Sequence, residues 1–250
     1  MSPAFVVLAA LPEETEALMR RIQSRHLSTT PPIFDNCYEL DLGEAHEHAR
    51  RHGILVQLAG TGRVSAAVAT VHAIHTWDPR VVLVAGTAGG FRDRDVSLGD
   101  LLVATSILDY ETQRVDGGNT VRWAVFQPDA GLLDLARSVA VPLILGRRPQ
   151  VHFGPVLSGD KIVASKAAVD ALLKLRPDAL AVEMEGGGVA LAAAMSSVPF
   201  LMIRGVVDYA DEKKRQDAEQ WSKPVCETVA LFVRALLESW ADHRALGDAQ

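Results

Sequence analysis

Two acidic residues stand where strands are expected to end. Glu185 lies in Ala181-Val182-Glu183-Met184-Glu185-Gly186, and Asp208 lies in Ile203-Arg204-Gly205-Val206-Val207-Asp208. Each follows an apolar run long enough for a buried strand. We therefore expect both carboxylates at the carboxyl edge of a sheet, where open α/β sheets bind their ligands. A carboxylate at that edge can hold a sugar diol or give a proton to a leaving group.

Each acid also has a purely structural explanation. Glu185 precedes Gly186–Gly188, which starts a predicted helix, and an acid at a helix start commonly offsets the macrodipole. Asp208 can be a helix N-cap or a general acid whose pKa is raised by partial burial. Glu183 lies two residues before Glu185, so on a strand the two side chains would point the same way. The residues alone leave these alternatives open.

A third acid, Glu14, follows the first apolar run in Leu11-Pro12-Glu13-Glu14. Proline suits a first helical turn, and acids there offset the helix dipole, so a structural explanation is complete. The functional alternative is a general base at the carboxyl edge of the first strand, which would orient and deprotonate a water molecule.

Two glycine-rich turns follow predicted strands. Gly60-Thr61-Gly62-Arg63-Val64-Ser65 imitates a dinucleotide-binding loop, but Ser65 replaces the third glycine, which disfavours a nicotinamide site. In Gly86-Thr87-Ala88-Gly89-Gly90, backbone N–H groups can face an anion or a water. A tight turn without a ligand explains the second stretch equally well.

Two charged stretches are expected to be plain surface. His48 and His52 have the spacing of helical metal ligands, but no third ligand set accompanies them, so we predict no metal site. Lys213-Lys214-Arg215 has the composition of a solvated face. Its closeness to Asp208 keeps a phosphate contact open.

Composition limits the classes of function. The chain has 250 residues, 48% hydrophobic and 22% charged, with a net charge of −6. A general nucleic-acid binder would need a basic face, so we expect no nucleic-acid partner. The two cysteines predict neither a disulfide framework nor a thiolate zinc site. No basic segment precedes the first apolar run, and no apolar run reaches a membrane span of about 20 residues. We expect a cytoplasmic protein without a membrane partner.

Buried-strand runs alternate with helical periodicity, which predicts α/β layers. The expected strands are Phe5–Ala10, Ile54–Ala59, Val81–Ala85, Leu101–Leu108, Val151–Leu157, Ala179–Met184 and Phe200–Val207. The expected helices are Glu13–Arg25, Val64–Trp77, Ala130–Ala140, Lys166–Leu175, Gly187–Met195 and Val225–Trp240. Ser28–Pro32, Leu42–His52 and Asp109–Pro128 have the character of loops and hairpin margins. We expect one domain over residues 1–241 and a flexible tail over 242–250.

The motifs occur in an order that resembles a known superfamily. They are Glu14, Gly60-Thr61-Gly62-Arg63-Val64-Ser65-Ala66, Thr87-Ala88-Gly89-Gly90 with Leu98-Gly99-Asp100, Ser158-Gly159-Asp160, Val182-Glu183-Met184-Glu185 and Arg204-Gly205-Val206-Val207-Asp208. Together they resemble the nucleoside phosphorylase/nucleosidase superfamily, most closely the methylthioadenosine/S-adenosylhomocysteine nucleosidases, from about Phe5 to Leu237. The resemblance implies an α/β fold, a single-domain three-layer sandwich whose mixed, mostly parallel central sheet is flanked by helices. It also implies a homodimer and no cofactor.

The resemblance implies a role for each matching position. Asp208 would protonate or hydrogen-bond N7 of a purine, and Glu14 would activate the attacking water. Further residues are implied at the ribose (Glu185, Met184 and Glu183), at the water or anion site (Thr87, Arg204 and Gly89) and at the base (Ile162, Val163 and Asp208).

The chain also departs from the nucleosidase pattern. These enzymes commonly carry an aromatic ring two residues after Ser-Gly-Asp, where this chain has Ile162, preceded by Lys161. The stretch from Asp208 to Lys214 looks more like nucleosidase domains attached to signalling or defence proteins. The 5′ substituent of the substrate therefore stays open.

An acid at position 14 would repel phosphate, so we expect water as the nucleophile. The leading expectation is therefore a hydrolase that acts on adenine nucleosides. The alternatives are a phosphate-dependent phosphorylase, a nucleosidase acting on AMP or ATP, and a ligand-binding module without turnover.

Overall fold

A computed structural model describes residues 3–28, 33–43, 51–117, 119–144 and 149–247. Its strands are Phe5–Ala9 (β1), Gln23–His26 (β2), Phe34–Asp41 (β3), His52–Leu58 (β4), Val81–Gly90 (β5), Leu101–Asp109 (β6), Gln113–Val115 (β7), Asn119–Val121 (β8), Ala124–Phe126 (β9), Val151–Ser158 (β10), Ala181–Glu183 (β11) and Phe200–Asp208 (β12). Its α-helices are Pro12–Arg21 (α1), Arg63–Trp77 (α2), Ala130–Ile144 (α3), Lys166–Leu175 (α4), Gly186–Met195 (α5) and Lys214–Gly247 (α6).

Ten strands form one mixed sheet in the order β11-β10-β6-β12-β5-β1-β4-β3-β2, with β9 paired to β6. β1 runs parallel to both β4 and β5, and β12 runs parallel to β5. β11 also pairs antiparallel with β5, so that β5, β12, β6, β10 and β11 close into a ring. The predicted α/β fold with a mixed sheet is confirmed.

Alternation along β1 separates two of the hydrophobic cores, one on each face of the sheet. In β1, Phe5 and Val7 belong to one core and Val6 and Leu8 to the other. Buried side chains of α6 cover the first face, and alanines of α2 and α5 cover the second. Both faces of β1 are therefore buried from solvent, which explains its unbroken apolar sequence.

Several predicted boundaries were wrong. The first helix ends at Arg21 rather than Arg25, because Gln23–His26 pairs with β3 as an antiparallel strand. The unpredicted β3 is held between β2 and β4, a tertiary contact that its mixed composition does not signal. β11 ends at Glu183, before Met184.

Two further segments also differ from expectation. The last helix begins at Lys214, 11 residues before Val225, and contains Pro224, a residue that disfavours a helix interior. It also continues past Trp240 to Gly247. Within Asp109–Pro128, predicted as loop and hairpin margin, the short strands β7 to β9 form.

Candidate active site

The carboxyl ends of β1, β5, β11 and β12 surround a cleft of about 210 Å³. It brings together most of the site residues predicted from the sequence. Its lining includes Glu14, Thr87, Gly89, Ile162, Val163, Glu183, Met184, Glu185, Asp208, Lys161 and Lys214. Arg204 lies directly behind this lining, bound to Glu183 and Glu185.

Strand register explains why these side chains converge. Gly89 of β5 is paired both with Val182 of β11 and with Asp208 of β12. A Cβ atom at Gly89 would lie 2.9 Å from Asp208 Oδ1, so a side chain there would displace the carboxylate. Glycine therefore permits the close approach of β12 to β5 at the cleft.

A buried guanidinium, Arg204, is surrounded by carboxylates. Arg204 is only 1% exposed, and its Nη2 donates to Glu183 Oε2 and, at 3.4 Å, to Glu185 Oε2. Burial opposes the Arg204 cation, but the charges of Glu183, Glu185 and Glu14 raise its pKa. Its strand neighbour is Gly86, where a Cβ would lie 2.4 Å from Nη1 and 2.6 Å from Glu14 Oε1. Three acids thus share one fixed cation.

Glu14 lies in the first turn of α1 and is 4% exposed. Its Oε2 accepts from the backbone N–H groups of Ala10 (3.0 Å) and Leu11 (3.1 Å). Its Oε1 accepts from the Thr87 backbone N–H (2.8 Å) and the Thr87 hydroxyl (3.0 Å). Burial raises the pKa of Glu14, although Arg204 and these hydrogen bonds oppose the shift. The acid therefore caps the helix and faces the cleft at the same time.

The expectation that Glu183 and Glu185 point the same way along a strand was wrong. β11 ends at Glu183, and Glu185 is the N-cap of α5. Glu183 turns inward, where its Oε2 accepts from the backbone N–H groups of Glu185 (3.0 Å) and Gly186 (2.8 Å). Together with the Arg204 contact, these bonds occupy its carboxylate. Glu183 therefore holds the loop on which Glu185 is presented.

Glu185 Oε1 accepts from the Gly62 backbone N–H at 3.0 Å. Gly62 has φ +95, in the left-handed region that favours glycine, so this glycine-rich turn presents an N–H group to a carboxylate. Burial raises the pKa of Glu185 to about 7, against the lowering effect of Arg204. Glu183 and Glu14 add to the upward shift.

Asp208 is 1% exposed at the end of β12. Its Oδ1 accepts from the Ala210 backbone N–H at 2.7 Å, and its Oδ2 accepts from Lys214 Nζ at 2.8 Å. The expectation that Lys213-Lys214-Arg215 is plain surface was wrong for Lys214. Asp211 accepts from the backbone N–H groups of Lys213 and Lys214. This turn brings the first residue of α6 back towards β12.

At the other end of the cleft, Val163 is buried and Ile162 is 72% exposed. Lys161 forms an ion pair with Glu111, and Glu111 also accepts from the Asp160 backbone N–H at 2.9 Å. The loop after β10 is thereby tied to the segment after β6.

Sequence reasoning missed a second bridge, made by Arg63. Its Nη2 donates to Asp160 Oδ2 at 3.0 Å, and its Nη1 donates to Asp109. The only sequence signal for this bridge was a charged residue, Arg63, inside a glycine-rich turn. Its partners Asp109 and Asp160 lie 46 and 97 positions away.

Within the described ranges, no group of three or more histidine, cysteine, aspartate or glutamate side chains is arranged to hold a metal ion. His48 lies outside the described residues, and His52 begins β4. In the part of the chain that the structure describes, no helix is long and apolar enough to cross a membrane.

Residues 4–238 match the family model of the phosphorylase superfamily. The chain is 29% identical over 245 residues to a 5'-methylthioadenosine/S-adenosylhomocysteine nucleosidase of Desulfotalea psychrophila, covering 93% of this chain and 97% of the relative. It is 26% identical over 239 residues to the enzyme of that name from Chromohalobacter salexigens, covering 93% and 95%.

Solved structures show the same fold. The nucleosidase of Neisseria meningitidis, in complex with methylthio-immucillin-A, superimposes with a TM-score of 0.79 at 27% identity, over 94% of this chain and 98% of that one. Futalosine hydrolase of Helicobacter pylori superimposes with a TM-score of 0.80 at 21% identity, over 95% and 98%. At that identity the second likeness concerns the fold alone.

Proposed function

The chain belongs to the phosphorylase superfamily, and from that membership and the cleft we propose that it is a purine nucleoside N-ribosyl hydrolase. It would release adenine from compounds such as methylthioadenosine or S-adenosylhomocysteine by attack of water on the anomeric carbon. The observation that carries this proposal is the convergence of Glu14, Glu185 and Asp208, from three separate strand ends, on one cleft.

The chemistry needs three groups. As the bond between the base and the anomeric carbon breaks, its electron pair goes to the base, and Asp208 supplies a proton at N7. The sugar becomes an oxocarbenium-like cation, as in glycosidases, and Glu185 binds its hydroxyls with Met184 beside it. Water adds to the cation and gives a proton to Glu14. The products are the free base and the ribose with its 5′ substituent.

Glu14 already has four donors on its two oxygens. The Thr87 hydroxyl is the donor that can rotate away without moving the backbone. In this proposal, rotation of Thr87 frees a lone pair of Oε1 for the water, and the backbone N–H of Thr87 keeps the carboxylate in place. Gly89 and Arg204 complete this side of the site.

The electrostatics favour water over phosphate. Arg204 is the only arginine in contact with the described cleft acids Glu183 and Glu185, and it is already engaged with them. A phosphate ion would meet Glu14 and Glu185 without a free guanidinium to bind it. The two lysines of the lining are also paired, Lys161 with Glu111 and Lys214 with Asp208, which argues against a nucleotide phosphate site.

Relatives support the same reaction. The proteins from Desulfotalea psychrophila and Neisseria meningitidis are named nucleosidases. At 29% and 27% identity, they support hydrolysis more strongly than they support a particular 5′ group.

The test is release of free base in phosphate-free buffer from methylthioadenosine, S-adenosylhomocysteine, adenosine, AMP, ATP and inosine. We expect adenine from the thioether nucleosides. Strict dependence on added phosphate would instead identify a phosphorylase, and release from AMP or ATP alone would identify a nucleotide nucleosidase. Ligand-induced thermal stabilisation without any free base would identify a binding module.

Asp208→Asn should lower turnover at least about a hundredfold, because a positioned acid contributes about that much or more. Asp134→Asn is the matched control, since Asp134 is exposed on α3 and lies outside the cleft lining. Equal thermal unfolding of both variants would show that the loss is chemical. Near-normal turnover of Asp208→Asn would contradict its role.

We further propose that the protein forms a homodimer through α2 and α5. Val64, Val68 and Val71 expose 71%, 48% and 51% of their surface along one side of α2. On the neighbouring α5, Leu191 and Met195 expose 44% and 80%. Exposed apolar side chains at helical spacing are typical of an interface rather than of a solvated face.

A further inference from the structure

We propose that Lys214 is the proton source for Asp208, and that the proton taken by the leaving base passes from Lys214 through Asp208. This proposal rests on the proposed function. It concerns a contact between β12 and the first residue of α6, Lys214 Nζ to Asp208 Oδ2 at 2.8 Å.

Asp208 has little access to solvent protons. It is 1% exposed, and its Oδ1 is held by the Ala210 backbone N–H, which does not exchange protons with a carboxylate during catalysis. Among the described residues, Lys214 is its hydrogen-bonded titratable partner. The Lys214 side chain is 31% exposed and lines the cleft, so it connects the buried acid with bulk water.

Among the residues that the structure describes, no other carboxylate is paired with Lys214. Across the cleft, Lys161 is paired with Glu111, while Glu183 and Glu185 contact Arg204 and Glu14 binds Thr87. On the side of α6, Asp211 caps the turn through backbone N–H groups, and Asp217 follows one turn later. Asp208 is the single ion-pair partner described for Lys214.

The proton balance is complete. When the N9–C1′ bond breaks, its electron pair moves to the purine. In the ion pair, Oδ2 of Asp208 accepts from the Lys214 ammonium. As the bond breaks, a proton passes from Nζ to Oδ2, and the resulting carboxylic acid gives its proton to N7. Neutral Lys214 regains a proton from water, and the proton released by the nucleophilic water leaves through Glu14. Lys214 acts through Asp208 and does not need to touch the substrate.

The experiment compares Lys214→Ala, Lys214→Arg and the control Lys213→Ala on the best substrate found in phosphate-free buffer. Lys213 is the adjacent exposed lysine, whose side chain lies outside the cleft lining. We expect Lys214→Ala to lower kcat at least about tenfold, less than the roughly hundredfold or more that a direct proton donor contributes, because Asp208 remains. KM should change less than about twofold. Lys213→Ala should match the wild type.

Two further readouts separate proton supply from simple packing. Lys214→Arg should stay about as slow as Lys214→Ala, because a guanidinium keeps the ion pair with Asp208 but does not give up its proton. Added methylammonium should restore turnover to Lys214→Ala, in proportion to its protonated fraction. Thermal unfolding of each variant checks that it is folded.

The outcomes are distinguishable. A wild-type enzyme that releases no base in any buffer overturns the proposed function, and this proposal with it. An active wild type, together with a Lys214→Ala variant of equal kcat and unchanged pH profile, overturns only the role of Lys214. Loss of kcat without amine rescue, or an arginine variant with the kcat of the wild type, also overturns it, since a cation at position 214 would then only hold Asp208 in place.

Discussion

At the scale of single residues, one buried arginine compensates the charge of several buried carboxylates. Three buried acids near one another would repel and would resist ionisation. Arg204 lies between them, 1% exposed, and lowers the pKa of Glu14 and Glu185 against the effect of burial. Removing the guanidinium would leave several carboxylates buried without compensation, a change that usually costs several kcal/mol. Arg204 is therefore the residue on which the protonation of the site depends.

The pKa of Glu185, raised to about 7, predicts a pH-dependent KM. Below that pH, Glu185 is mostly protonated and loses accepting capacity for the ribose hydroxyls. As pH rises from about 6 to 8, the carboxylate ionises and binds both hydroxyls, so the KM for methylthioadenosine should fall. The measurement is a KM–pH series with kcat recorded in parallel.

In Glu185→Gln, KM should be high and no longer vary across that pH range. Glu219→Gln is the control, because the Glu219 side chain is 69% exposed on α6 and pairs only with Arg215 among the described ion pairs. A wild-type KM that is flat between these pH values would refute the assignment of Glu185 to the ribose.

At the scale of elements, the close packing of α2 and α5 positions the end of the cleft that holds Glu185. A Cβ at Gly188 of α5 would lie 2.0 Å from the backbone carbonyl oxygen of Arg63 at the start of α2. This approach places the Gly62 N–H within 3.0 Å of Glu185 Oε1. One helix N-terminus therefore presents the acid, and the neighbouring helix start orients it.

Gly188→Ala should therefore destabilise the protein by roughly 1–3 kcal/mol, as overpacked sites do. The clash is with backbone, which cannot move aside as the end of a side chain can. The measurement is the free energy of unfolding in urea. Gly60→Ala serves as the control, because a Cβ there would lie 3.6 Å from Ser65 Oγ, an ordinary contact. Equal stability of the two variants would contradict the packing explanation.

At the scale of the whole molecule, the pairing of β5 with β1, β12 and β11 brings distant acids together. Glu14 and Asp208 lie 194 positions apart in a chain of 250 residues, yet both line one cleft. The exposed apolar side chains of α2 and α5 lie on the outer surface of the same chain. The molecule thus has a cleft that contains its acids and a separate apolar surface, consistent with one site and one proposed interface.

The proposed homodimer predicts that the wild type sediments as a dimer at micromolar concentration. The double variant Val68→Glu/Val71→Glu should sediment as a monomer, because charges would be buried unpaired at the interface. Leu231→Glu is the control, an exposed leucine (48%) on α6, at the other face of the sheet. A monomeric wild type, or a dimer unaffected by the double substitution, would contradict this interface.

Local patterns were enough to predict the α/β class, the main strands and the residues that follow them. Apolar runs such as Phe5–Ala9 and Phe200–Asp208 carry their own evidence, because a strand buried on both faces needs apolar residues throughout. The order of the short motifs pointed to the superfamily that the family match then confirmed.

Only the tertiary structure decided how those residues are paired. The acids that share Arg204, the contact of Lys214 with Asp208 and the strand character of Gln23–His26 all depend on partners outside the local segment. Hydrophobic periodicity reports which side of an element is buried, but not which charged group lies against it. Since the chemistry of the site depends on those contacts, the sequence identified its acids, and the fold determined the groups that hold them.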